Sequence, residues 1–112
     1  MIQKIAIPVE NGLLCQHFGH CEAFLITDIE ESEIKNMETI KPPLHEPGSY
    51  PRTLAELGVK TIIASGMGQM ARQLFAEQGI EVLTGIAEAE PQQLLEAYLA
   101  RSLESGVNPC TH

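Results

Sequence analysis

Four soft or borderline metal ligands fall within one short run of this chain, Cys15-Gln16-His17-Phe18-Gly19-His20-Cys21. Thiolate and imidazole are the donors that zinc, copper and iron–sulfur centres take. A loop at a sheet edge can aim several of them at one point, free of helix or strand periodicity. The C-terminus adds Cys110-Thr111-His112, and a proline-rich stretch adds His45. Paired C-x-x-C knuckles are absent, so the spacing is not that of a zinc finger. Each residue also has a plainer role open to it. Cys21 adjoins an apolar segment and could be a core thiol; His17 beside Phe18 could be a packed histidine; Cys110 and His112 could belong to a disordered end. What favours a metal site is their conjunction in a chain with three Cys and four His in all.

A second constellation is Gly66-Met67-Gly68-Gln69-Met70-Ala71. It fits G-x-G-x-x-A between a strand and a helix, where backbone amides and a helix N-terminus can hold an anion. A dinucleotide would require an acidic residue after the following strand, but Leu83 is succeeded by Thr84 and Gly85. Two readings remain: glycines that permit a tight turn and close packing, or a seat for an anionic metal cluster at Gly66 and Gly68 with Arg72 within reach. Hydrolysis finds little support. There is no G-x-S-x-G elbow, and Asp28 is the single aspartate among 15 acidic residues.

These groups must be positioned by a chain of 112 residues, the size of one domain. Residues 1–104 read as that domain and 105–112 as a flexible tail. Hydrophobic residues at 44% and charged residues at 20% suit a globular core. The net charge of −8, with seven scattered basic residues, opposes nucleic acid and anionic membrane surfaces. No run approaches the roughly 20 apolar residues of a membrane helix. Nothing resembles a signal peptide, so the expected location is the cytoplasm, where the odd count of cysteines argues against a disulfide framework.

The pattern predicts strands over Ile2–Val9, Ala23–Asp28 and Glu33–Ile40, the last two as a hairpin. Residues 41–51, with four prolines, are expected as a surface loop. Helix and strand then alternate: a helix over Arg52–Leu57 stopped by Gly58, a strand over Val59–Ala64, a helix over Gln69–Gln78 with Met70, Ala71, Leu74 and Phe75 inward, a strand over Ile80–Leu83, and a helix over Pro91–Leu103. The sum is an α/β domain, a mixed sheet with helices on its faces.

Three segments together, His17-Phe18-Gly19-His20-Cys21-Glu22, Pro42-Pro43-Leu44-His45-Glu46-Pro47-Gly48 and Gly58 through Gly68, resemble the dinitrogenase iron–molybdenum cofactor biosynthesis family, the NifX- and NafY-like proteins of nitrogen fixation. The likeness covers nearly the whole chain. It implies a ribonuclease H-like, three-layer fold with a mixed sheet of about five strands and helices on both faces. It also implies a binder or carrier of an iron–sulfur or iron–molybdenum–sulfur cluster rather than an enzyme, serving proteins that donate or accept the cluster; two copies could share one cluster as a homodimer. Carried over by position, the ligands implied are His17, Cys21, His45, Cys110 and His112. Cys15 and Thr111 depart from the family pattern. A zinc or copper module, or an interaction domain that has lost the site, would use the same fold. A thiol beside the helix that opens at Gln69 is expected to have a lowered pKa.

Overall fold

The computed structural model describes residues 2–16, 21–31, 33–41, 49–86 and 89–100. Strand β1 (Ile2–Glu10) is the centre of the sheet. It reaches Glu10 despite Pro8, because that position needs only a carbonyl: Pro8 C=O accepts from Cys15 N–H at 2.9 Å. Asn11 and Gly12, with φ of 55° and 79°, then make the left-handed two-residue turn that Asn-Gly favours. The chain folds back as β2 (Leu13–Leu14), pairing Glu10 with Leu13.

Strands β3 (Ala23–Glu30) and β4 (Glu33–Ile40) form the expected hairpin on one flank of β1. Both parallel strands lie on the other flank, β5 (Thr61–Ile63) beside β1 and β6 (Glu81–Leu83) beside β5. The order β4-β3-β1-β5-β6, with β2 as an extra piece on β1, makes a six-stranded mixed sheet. Three helices complete it: α1 (Ser49–Glu56), α2 (Gln69–Glu77) and α3 (Pro91–Leu99).

Strand alternation divides the core in two. Ala6, Phe24, Ile26 and Ile62 face Tyr50 and Leu54 of α1 and Phe75 of α2. Ile5, Ile7, Ile29 and Ile63 face Leu94 and Leu95 of α3. Helices therefore cover both sheet faces, as the sequence implied. Tyr98 ties α3 to the sheet, its hydroxyl accepting from Gln3 Nε2 at 2.7 Å.

Three details differ from expectation. Helix α1 begins at Ser49, inside the expected loop, because Pro51 falls in the first turn, where no N–H partner is required. Met70 is 71% exposed rather than inward, leaving Phe75 as the buried residue of α2. Its place in the core is taken by Met67, 1% exposed, from the turn before the helix. The described part of α3 ends at Leu99; residues 101–103 lie outside the described residues.

Candidate functional site

Strands β1, β5 and β6 run in one direction, so the segments after Glu10, Ile63 and Leu83 all leave the same end of the sheet. Antiparallel β3 begins at that end, with Ala23 opposite Val9, and β4 finishes there, with Ile40 opposite Phe24. The carboxyl ends of parallel strands, where the connections diverge to opposite faces, are where open α/β sheets place their ligands. Backbone hydrogen bonds stitch these connections together. Gly66 N–H donates to Gln16 C=O (2.9 Å), Gly85 N–H to Ser65 C=O (2.8 Å), and Leu14 N–H to Ala89 C=O (3.0 Å).

Cys21 stands at this end, immediately before β3. Glu22 N–H beside it is anchored to Val9 C=O at 2.9 Å. The Cys21 side chain is half-buried against the α1/α2 core. Burial pushes its thiol up to about 12, helped by the neighbouring Cys15 and by Glu10, while a backbone hydrogen bond works in the opposite direction. The shift is opposite in direction to the lowering expected for a thiol at a helix N-terminus, and loss of solvent is its largest cause. Tyr50 belongs to the same neighbourhood. Its ring meets Phe24 edge-on, centroids 5.3 Å apart and planes at 86°, and burial with the nearby Cys21 raises its pKa.

The three residues expected to seat an anion behave differently from one another. Gly66 is buried, and its N–H is already engaged by Gln16. Gly68 is the N-cap of α2 in an extended conformation with no side-chain cap, and a Cβ there would meet nothing within 4 Å. The backbone at Gly68 therefore borders open space. Arg72 is exposed in the first turns of the same helix, its N–H donating to Gly68 C=O. Of the expected metal ligands, only Cys21 lies among the described residues; His17, His45, Cys110 and His112 fall outside them, as does His20. Among the described residues no three His, Cys, Asp or Glu side chains are grouped to hold a metal ion.

Two residues of this neighbourhood carried little weight in the sequence. Cys15 departs from the family pattern, though its spacing brackets the histidine run with Cys21. Tyr50 carried no signal at all, since it lay in a segment read as loop. No helix among the described residues is long and apolar enough to cross a membrane.

A family profile described as dinitrogenase iron-molybdenum cofactor matches residues 1–101. An uncharacterized protein of Methanocaldococcus jannaschii, MJ0580, is 41% identical over 86 residues, 72% of this chain and 73% of that protein. Among solved structures, PH0822 superposes with a TM-score of 0.85 at 28% identity over 93% of this chain and 96% of its own. The apo form of the orange protein from Desulfovibrio gigas superposes with a TM-score of 0.77 at 20% identity, covering 96% of this chain and 95% of its own. The latter likeness is one of fold.

Proposed function

The chain belongs to the dinitrogenase iron-molybdenum cofactor family, and from that membership we propose that it binds and hands on an iron–sulfur or iron–molybdenum–sulfur cluster as cargo. The observation that supports this most is the stitched end of the sheet. To that end come Cys21, beside Glu22 on Val9, and Gln16, bonded to Gly66 just before the N-terminus of α2. In this reading His17, Cys21, His45, Cys110 and His112 supply the ligands, and Gly66, Gly68 and Arg72 border the anionic cargo. In this reading residues 1–104 are the carrier domain and 105–112, outside the described residues, its tail.

The chain's own chemistry suits temporary possession. Cys21 is a neutral thiol in the empty protein, so loading releases its proton to solvent as the sulfur bonds to metal. A neutral imidazole from His17 adds a ligand without adding charge. Few ligands of this kind release a cluster to an acceptor more readily than a closed all-cysteine cage. The protein acts in the cytoplasm between a donor and an acceptor protein, as a carrier and not a catalyst, and two copies sharing one cluster would act as a homodimer.

The test is anaerobic purification with iron, molybdenum, zinc and acid-labile sulfide analysis and a visible spectrum, on wild type and on His17→Ala. Iron with sulfide, lost in the variant, is the expected result. Zinc alone, or no metal after reconstitution with iron and sulfide, overturns the reading.

A further inference from the structure

We propose that two copies of the chain join edge to edge through β4, antiparallel about a two-fold axis at Met37, to give one continuous sheet. The interface does not depend on the carrier reading above.

Strand β4 is the long open edge of the sheet. Among the described strands it pairs with β3 alone, and six of its eight residues are exposed. The opposite edge, β6, has only three residues and offers no comparable ladder. Met37, in the middle of β4, is 45% exposed. Such an edge presents backbone N–H and C=O groups to any strand that fits, and its charged side chains decide which strand does.

The charges fit a second copy. Glu33, Lys35, Glu38 and Lys41 alternate in sign, starting negative and ending positive. Reversed, the order starts positive and ends negative. Antiparallel copies therefore set each charge toward an opposite one, whereas parallel copies in register set like upon like. Lys35 Nζ meets Glu33 Oε2 at 2.9 Å within the chain, while Glu38 and Lys41 have no ion-pair partner among the described residues. In the dimer Glu38 approaches Lys35 of the second copy, and Lys41 approaches its Glu33.

Symmetry narrows the register. Opposite residues of an antiparallel ladder alternate between hydrogen-bonded and non-hydrogen-bonded pairs, so the two-fold axis must pass at a residue that faces its own copy. Centred on Glu38, the pairing sets carboxylate on carboxylate and Lys35 on Lys41. Centred on Asn36, it sets the exposed Met37 against Lys35 and Glu38 against Ile34. Centred on Met37, it sets thioether on thioether and the Asn36 amide against the Glu38 carboxylate. That axis falls within the regular stretch 36–40; the bulge that makes Lys35 an extra residue opposite β3 lies outside it. Because β4 finishes at the end of the sheet where Cys21 stands, antiparallel copies turn those ends in opposite directions. Each copy then carries its own cargo.

The test is the oligomeric state of the full chain, metal-free and reduced, by light scattering on a sizing column across protein and salt concentrations. A dimer that dissociates on dilution is expected, more readily at high salt. Met37→Lys sets two like charges at the axis, and Glu33→Lys turns an attraction into a repulsion. Each should weaken the dimer by about 10-fold, since every change acts twice across the axis. Adding Lys41→Glu to Glu33→Lys should restore the dimer, a rescue that a mere loss of strand structure would not give. A monomer at every concentration overturns the proposal, as does a dimer that Met37→Lys leaves intact. Iron and sulfide loading of the same samples is read separately. Equal loading per chain in wild type and Met37→Lys is expected, and loading lost with the dimer overturns the claim that each copy holds its own cargo. A wild type that dimerises and takes up no cluster sinks the carrier reading and upholds the interface.

Discussion

Alkylation of Cys21 by iodoacetamide in the metal-free protein measures the environment on which loading depends. Burial, then Cys15, then Glu10 raise the thiol from its ordinary 9.0 to about 12. At neutral pH the reactive thiolate is therefore scarcer than in an ordinary cysteine by a factor of about 10³, since each pKa unit is tenfold in population. A more basic thiolate is also more nucleophilic, and a Brønsted slope of about 0.4–0.5 restores some 16- to 32-fold of that loss. The folded chain should thus label at Cys21 roughly 30- to 60-fold more slowly than the same residue in denaturant. Peptide-resolved mass spectrometry across pH 7 to 10, about the range in which the two profiles diverge, supplies the assay. In denaturant the logarithm of the rate should bend near the ordinary thiol pKa; in the folded chain it should keep rising with unit slope. A bend at the same pH in both, or equal rates, would refute the claim that burial governs this thiol. The sign carries over to stability. The unfolded chain loses the Cys21 proton at lower pH than the folded chain, so this thiol is neutral in both states below about 9 and lowers stability as pH climbs toward 12. Tyr50, also raised, acts in the same direction at alkaline pH.

Three further outcomes follow from the packing. Met67→Ala empties a site 1% exposed between the sheet and α2 and should lower unfolding free energy by about 2–5 kcal/mol in a urea titration. Gly79→Ala places a side chain at φ +76°, where nothing crowds the new Cβ; its cost of about 1–2 kcal/mol is conformational and should appear as a lowered melting temperature with binding unchanged. Tyr98→Phe removes the hydroxyl that accepts from Gln3 Nε2 at 2.7 Å and should cost about 0.5–1.5 kcal/mol, with earlier amide exchange in α3 than in α2.

Local chemistry made much of the architecture legible in the sequence. Asn11-Gly12, Gly58 and Gly79 carry the left-handed turns that their residue types announce, and the β-branched and helical spacings lie where β1, β3, β4, α2 and α3 are found. These features depend on neighbours a few residues away, so period and turn residues suffice to find them. The metal-ligand types of Cys21 and its histidine neighbours were equally plain, because donor chemistry belongs to the side chain itself.

Only the tertiary structure decided the rest. Strand β2 is two residues long and exists because β1 offers it a partner. Met67 rather than Met70 fills the core because the turn before α2 is drawn in by Gly66 bonding to Gln16, a contact across fifty positions of chain. Packing of α1 on the sheet likewise puts Tyr50 in the cluster that Cys21 packs against, and burial there raises that thiol. Which residues could act was written in the sequence. Which of them share one end of a sheet, and how dry that end is, depends on contacts between distant segments, and these form only when the sheet closes.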